Sequence, residues 1–169
     1  AAAAFAAIDP SCQISWADLA AIGRIESGHA QHAGTRIAAN GDTYPPILGP
    51  PLDGSNGNAA LLQPPGLPYY DGPGPWEQAV GPMQFLPTTW ASAGMVGGSD
   101  AVPDPNNVFD AAMGAANYLC RAAAGGSLTD LSVLSRAYDA YNHSASYVSE
   151  ALSDAAYYGA TIVPPPPGT

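Results

Sequence analysis

A chain of 169 residues, 47% of them hydrophobic with alanine a large share, is long enough for one domain, and its core should be helical and closely packed. The net charge is −10, all four cations are arginine (Arg24, Arg36, Arg121 and Arg136) and lysine is absent, which excludes nucleic acid as a partner and argues against anionic membrane surfaces. No apolar run approaches the roughly 18 residues of a membrane span.

Residues 1–10 are alanine-rich and read as a linker or a frayed helix. Residues 11–160 are expected to form the domain proper, and 161–169 a Pro-rich tail. The first strong signal is Ser15 followed by Asp18, close to a capping box. Trp16, Leu19, Ile22 and Ile25 then recur at helical spacing, and Gly28 is a stop, so a helix is expected over 15–29. Glu26 falls in its last turn, where the helix dipole disfavours an ionised carboxylate. Apolar neighbours would push the same way, towards a carboxyl that keeps its proton near neutral pH. Glu26 is therefore either a solvated helix-end residue or a general acid.

From Ala30 to about Pro75 the composition changes to Gly, Pro, Asn and Asp. Asn40-Gly41-Asp42, Pro45-Pro46, Asp53-Gly54, Pro64-Pro65-Gly66 and Asp71-Gly72-Pro73 are turn signals that exclude helix and central strand. The stretch 40–75 is expected as an irregular insertion beside a cleft, with a short hairpin around Asn40-Gly41. Helix is expected again at Trp76 to Ala79, then from Pro87 through about Ala93. Asp104-Pro105-Asn106-Asn107 should cap a helix from Val108 to about Ala124, with Phe109, Ala112, Met113, Ala116, Leu119 and Cys120 on one stripe and Gly125-Gly126 ending it. Thr129 or Asp130 should start another through about Tyr141, with Leu131, Leu134 and Tyr138 inward. Ser144 should start a last one through about Tyr158, with Val148, Leu152 and Ala155 inward and Gly159 as the stop.

Cys12 and Cys120 either pair or remain two buried thiols. A pair would join two helices and implies an oxidising, extracytoplasmic compartment. His29, His32 and His143 lack ligand spacing with the cysteines, so no metal or other cofactor is expected. Gly81-Pro82-Met83-Gln84-Phe85 is a Gly-Pro turn with one amide embedded among apolar residues. It either packs Met83 and Phe85 into the core or presents Gln84 to sugar hydroxyls and acetamido groups. Asn142, after Tyr141, is either a helix cap or a ligand contact beside a stacking wall.

Glu26-Ser27-Gly28 on a helix, then Gly81-Pro82-Met83-Gln84-Phe85-Leu86-Pro87-Thr88-Thr89-Trp90, then Asp104-Pro105-Asn106 with Ala116-Asn117-Tyr118-Leu119, then Ala140-Tyr141-Asn142-His143-Ser144 with Tyr147-Val148, resembles the lytic murein transglycosylases. The likeness is to the membrane-bound lytic transglycosylase B-like group in a secreted form, and it runs over most of residues 12–150 in the family's order. Two features depart from that pattern. Pro75 stands before Trp76 where the group's best-known members have a serine, and the 40–75 stretch is longer and more irregular.

The resemblance implies an all-α, lysozyme-like (SLT-type) helical domain acting as a monomer on peptidoglycan glycan strands. It implies Glu26 as the catalytic acid and base, with Ser27, Met83, Gln84, Phe85, Tyr118, Tyr141, Asn142 and Tyr147 along the glycan cleft. Only Glu26 sits in a motif, whereas most glycosidases need two carboxyls; Asp139, two residues before Tyr141, is the one rival. A lone acid is consistent with a reaction in which the muramoyl 6-hydroxyl attacks C1 and leaves a 1,6-anhydro product. A muramidase hydrolase of the same fold and a non-catalytic wall-binding module are the alternatives.

Overall fold

Ser15 starts the first long helix as its spacing requires. In the computed structural model, which describes residues 1–67, 74–98 and 101–162, the Asp18 N–H donates to Ser15 Oγ and the Ser15 N–H donates to Asp18 Oδ2. These bonds close a capping box at the head of α2 (Trp16–Ser27). Gly28 ends it in the left-handed conformation, its N–H donating to the Arg24 carbonyl. Leu19, Ala21 and Ile22 are buried, while Trp16 and Ile25 lie half-buried at the margins. Before it, α1 (Ala2–Phe5) anchors the alanine-rich start by burying Phe5.

The architecture is mostly helical. Four further helices follow: α3 (Pro87–Ala93), α4 (Val108–Ala122), α5 (Leu131–Tyr141) and α6 (Ala145–Thr161). Each of the last three has its expected polar cap, Asn107, Asp130 and Ser144, accepting from backbone N–H groups of the first turn. Helices α2 and α6 run antiparallel along each other. Arg24 pairs with Glu150 and Asp154, Trp16 lies against Tyr158, and the far end of α2 meets Tyr147. Cys12 and Cys120 are joined as a disulfide with Cα atoms 5.5 Å apart, tying the lead into α2 to the end of α4. No helix of the described residues is long and apolar enough to cross a membrane.

The core is Leu19, Ile22, Phe85, Trp90, Met113, Leu119, Leu134 and Tyr138 with small alanines between them. Its details correct several sequence expectations. Phe109 is 48% exposed because the first turn of α4 faces the hairpin, where its ring covers Gly41. Leu131 is 71% exposed, and Val133 and Ala137 take the inward places beside Leu134 and Tyr138. On α6 the buried set is Tyr147, Ala151 and Ala155, so Val148 and Leu152 sit half-buried at its edge. Gly159 does not stop that helix, which continues to Thr161, whose hydroxyl donates to the Tyr157 carbonyl.

The stretch 76–79 is extended, not helical. Its backbone groups are taken by the insertion: Glu77 N–H donates to the Leu61 carbonyl, and Leu52 N–H to that of Glu77. The expected hairpin is present as β1 (Arg36–Ile37) antiparallel to β2 (Thr43–Tyr44), with Arg36 opposite Tyr44. The turn expected at Asp71-Gly72-Pro73 and the polyproline tail Pro164–Pro167 lie outside the described residues.

Candidate active site

The Glu26 side chain, in the last turn of α2, is largely buried, and its Oε1 accepts a 2.7 Å hydrogen bond from the Tyr147 hydroxyl. Burial pushes the carboxyl up to about 7, partly opposed by that hydrogen bond, which favours the charged form. Tyr147 lies in the first turn of α6 and stacks on Tyr141 at 6.5 Å between ring centroids, 8° apart in plane. Both phenols are pushed above their ordinary range, by burial first and then by the Glu26 charge, so both remain donors.

Facing them is a tight hairpin turn, residues 81–84. Val80 and Phe85 exchange both backbone hydrogen bonds across it. Gly81 has φ 79, and a side chain there would collide with the Pro105 carbonyl, so no other residue fits. The turn is held from three sides: Ser27 Oγ donates to the Pro82 carbonyl at 2.7 Å, Tyr141 Oη to the Met83 carbonyl at 2.8 Å, and Gly81 N–H to the Ile47 carbonyl at 2.8 Å. Gln84 itself has φ 49, and its Nε2 donates back to the Gly81 carbonyl. A non-glycine residue held left-handed by its surroundings is the kind of local strain that accompanies functional positions.

Glu26 and Gln84 share one groove. It is a cavity of about 390 Å³ lined by those two, His32 and the insertion residues Ile47, Leu48, Gly49 and Pro50. A smaller hollow of about 90 Å³ continues from Gln84 along Phe85, Leu86, Thr89, Tyr118 and Tyr141. The insertion is thus a wall of the cleft, and a fixed one. Gly49 N–H donates to the Ala79 carbonyl, Gln78 Nε2 to the Gly49 carbonyl, and Ile47 N–H to Asn106 Oδ1. His32 and the 47–50 wall were not singled out from sequence. An apolar Ile47-Leu48-Gly49 interrupting a turn-rich stretch was the available signal.

The other expected site residues separate into two groups. Gln84, Phe85, Tyr118 and Tyr141 line the cleft, with Phe85 almost fully buried and Tyr118 held by a 2.7 Å bond to the Ala140 carbonyl. Tyr147 is buried, donates its hydroxyl to Glu26 and lines neither hollow. Ser27 is corrected: it is buried, and its hydroxyl joins the end of α2 to the turn. Met83 is corrected too, its side chain pointing behind the turn to within 3.6 Å of where a Cβ on Gly23 would sit. Asn142 is exposed beyond the C-terminus of α5 and lines neither hollow.

Among the described residues, Glu26 is the one carboxylic acid lining the groove. Asp139 is exposed, faces His143 at 3.6 Å and lines a different hollow between α5 and α6. Glu77 is buried and accepts from the Thr88 N–H at the start of α3, while Asp110 accepts from Gly97, Gly98 and Asp104. The one cluster of potential metal donors found among the described residues is Asp9 with Cys12 and Cys120, whose sulfurs are consumed in the disulfide. A search against family models, curated proteins and solved structures returns no match to this chain.

Proposed function

We propose that the chain is a lytic transglycosylase of peptidoglycan, acting outside the cytoplasm on a lysozyme-like helical scaffold. The observation that carries this reading is a single carboxyl, its pKa pushed up to about 7, in a groove with no second acid among its lining residues. At neutral pH about half of such carboxyls hold a proton, which is the state a general acid needs.

The Glu26 proton goes to the oxygen joining N-acetylmuramic acid C1 to N-acetylglucosamine. The C1–O bond breaks and positive charge develops at C1. The Glu26 carboxylate then takes the proton of the muramoyl 6-hydroxyl, whose oxygen bonds to C1 and gives the 1,6-anhydro sugar. Intramolecular attack has a large effective molarity, so no second carboxylate is needed to position water. The Tyr147 hydroxyl stabilises the carboxylate between the two steps. Gln84 offers its amide oxygen to an acetamido N–H or a hydroxyl, and the Tyr118 and Tyr141 rings offer a surface to sugar CH faces. The disulfide supports an oxidising compartment.

Mass spectrometry of purified peptidoglycan digested by the protein tests the proposal. Anhydromuramoyl products are expected. Reducing muramic acid ends alone would make the chain a hydrolase, and an unchanged polymer would make it a binding module.

A further inference from the structure

A second cavity, of about 280 Å³, lies on the reverse side of the Gly81–Gln84 turn from the Glu26 groove. Its walls include Leu19 and Gly23 of α2, Met83 of the turn, and Val108 and Ala112 of α4, with His29 as its only ionisable member. Two observations indicate that this space is built and not left over.

The first is Gly23. A glycine inside a helix weakens it relative to alanine. Here a Cβ would meet its nearest neighbours, His29 Nδ1, Met83 Cε and Met83 Sδ, at 3.5, 3.6 and 3.7 Å, which is ordinary contact. Packing therefore does not demand glycine; its effect is to keep the cavity floor open. The second is the chain leaving α2. Gly28, His29 and Ala30 are all left-handed, with φ of 58, 58 and 63, an unfavourable run for two L-residues. That turn carries His29 over the cavity, where its Nε2 bonds to Tyr158 Oη at 2.9 Å. Nδ1 is left facing Gly23. Burial, and then the Arg24 charge, push the imidazole pKa down, so the ring is neutral at neutral pH.

We propose that this cavity binds a small neutral molecule, an apolar ring or short aliphatic body carrying one hydrogen-bonding group that meets His29 Nδ1. The size, the apolar walls and the absence of a charged lining group select for a neutral ligand even though the chain as a whole carries a net charge of −10. The site is independent of the glycan reading. No residue lines both spaces, although both are bordered by α2 and by the Gly81–Gln84 turn.

The experiment is a two-dimensional amide NMR titration of the full chain with indole, benzyl alcohol and benzoate in parallel. Indole and benzyl alcohol are expected to saturate with a Kd of about 1 mM or tighter, shifting residues around Leu19, Gly23 and Ala112. Benzoate, matched in size but charged, should bind at least tenfold more weakly. Two plugged variants on separate helices, Gly23→Ala and Ala112→Leu, should each weaken indole binding at least tenfold. Gly23→Ala raises helix propensity, so its fold is not at risk. No saturable binding to the unmodified chain, equal binding of benzoate, or indole binding intact in both variants would each overturn the proposal.

Discussion

The Tyr147 hydroxyl and Glu26 Oε1 meet at 2.7 Å across 121 residues of sequence, one from the start of α6 and the other from the end of α2. The bond stabilises the charged carboxylate while burial opposes it. Tyr147→Phe removes the opposing influence, so the Glu26 pKa rises further. The alkaline limb of the kcat/KM profile should move to higher pH, with kcat lowered about tenfold. A limb that stays in place would show that Tyr147 does not act through the acid.

Glu26→Gln removes the proposed proton donor and changes the groove least. Turnover of peptidoglycan should fall by at least about 10³-fold, within the range general acid catalysis supplies. Glycan binding, read by pull-down with insoluble peptidoglycan, should stay within about threefold. Asp139→Asn, on a different face, should leave turnover unchanged. Full activity in the Glu26 variant would end the assignment.

The same variant tests the electrostatics without any substrate. Folding raises the Glu26 pKa from 4.5 to about 7, so the folded chain holds this proton more tightly than the unfolded chain. Below about pH 4 both states are protonated and the group costs nothing. Between 4.5 and 7 the stability falls as pH rises, and above 7 the full penalty of about 3 kcal/mol applies. Glutamine cannot ionise. Glu26→Gln should therefore melt several degrees higher than the unmodified chain at pH 8, and at nearly the same temperature at pH 4. Calorimetry at the two pH values checks the sign.

Cys12 and Cys120 are 108 residues apart. In the chain-entropy model, a link closing so long a loop contributes about 4–5 kcal/mol. Paired Cys12→Ser and Cys120→Ser changes should shift the urea midpoint down accordingly. A strong reductant acting on the unmodified chain should do the same.

The ends of helices were legible because they are written in local chemistry. Ser15 with Asp18, Asn107, Asp130 and Ser144 each present one oxygen to nearby N–H groups, which needs no tertiary partner. Glu26 stood out for a similar reason, since its place at a helix end follows from the stripe before it. What failed depended on distant neighbours. Trp76–Ala79 has helical propensity, but Gly49, Leu52 and Leu61 of the insertion claim its backbone groups. Leu131 and Phe109 fall on apolar spacing, yet the first turns of their helices face outward or onto the hairpin. Ser27 and Met83 lie in the right motifs but are taken by packing: the Ser27 hydroxyl holds the Pro82 carbonyl, and the Met83 side chain packs towards Gly23.

The 47–50 wall is the feature that sequence reading left without a role, and Gly49 is where it borders Gln84. A Cβ at this position would lie 2.8 Å from Gln84 Oε1 and 3.3 Å from the Ala79 Cβ. Gly49→Val should therefore displace the amide while leaving the core untouched. A stability loss of about 1–2 kcal/mol is expected, together with a KM for glycan raised about tenfold and a kcat changed far less, since the nearest atoms to the new Cβ belong to Gln84 and Ala79. If kcat fell and KM did not, the wall would be acting on the acid. If neither changed, the insertion would be a bystander and the substrate would lie elsewhere along the groove.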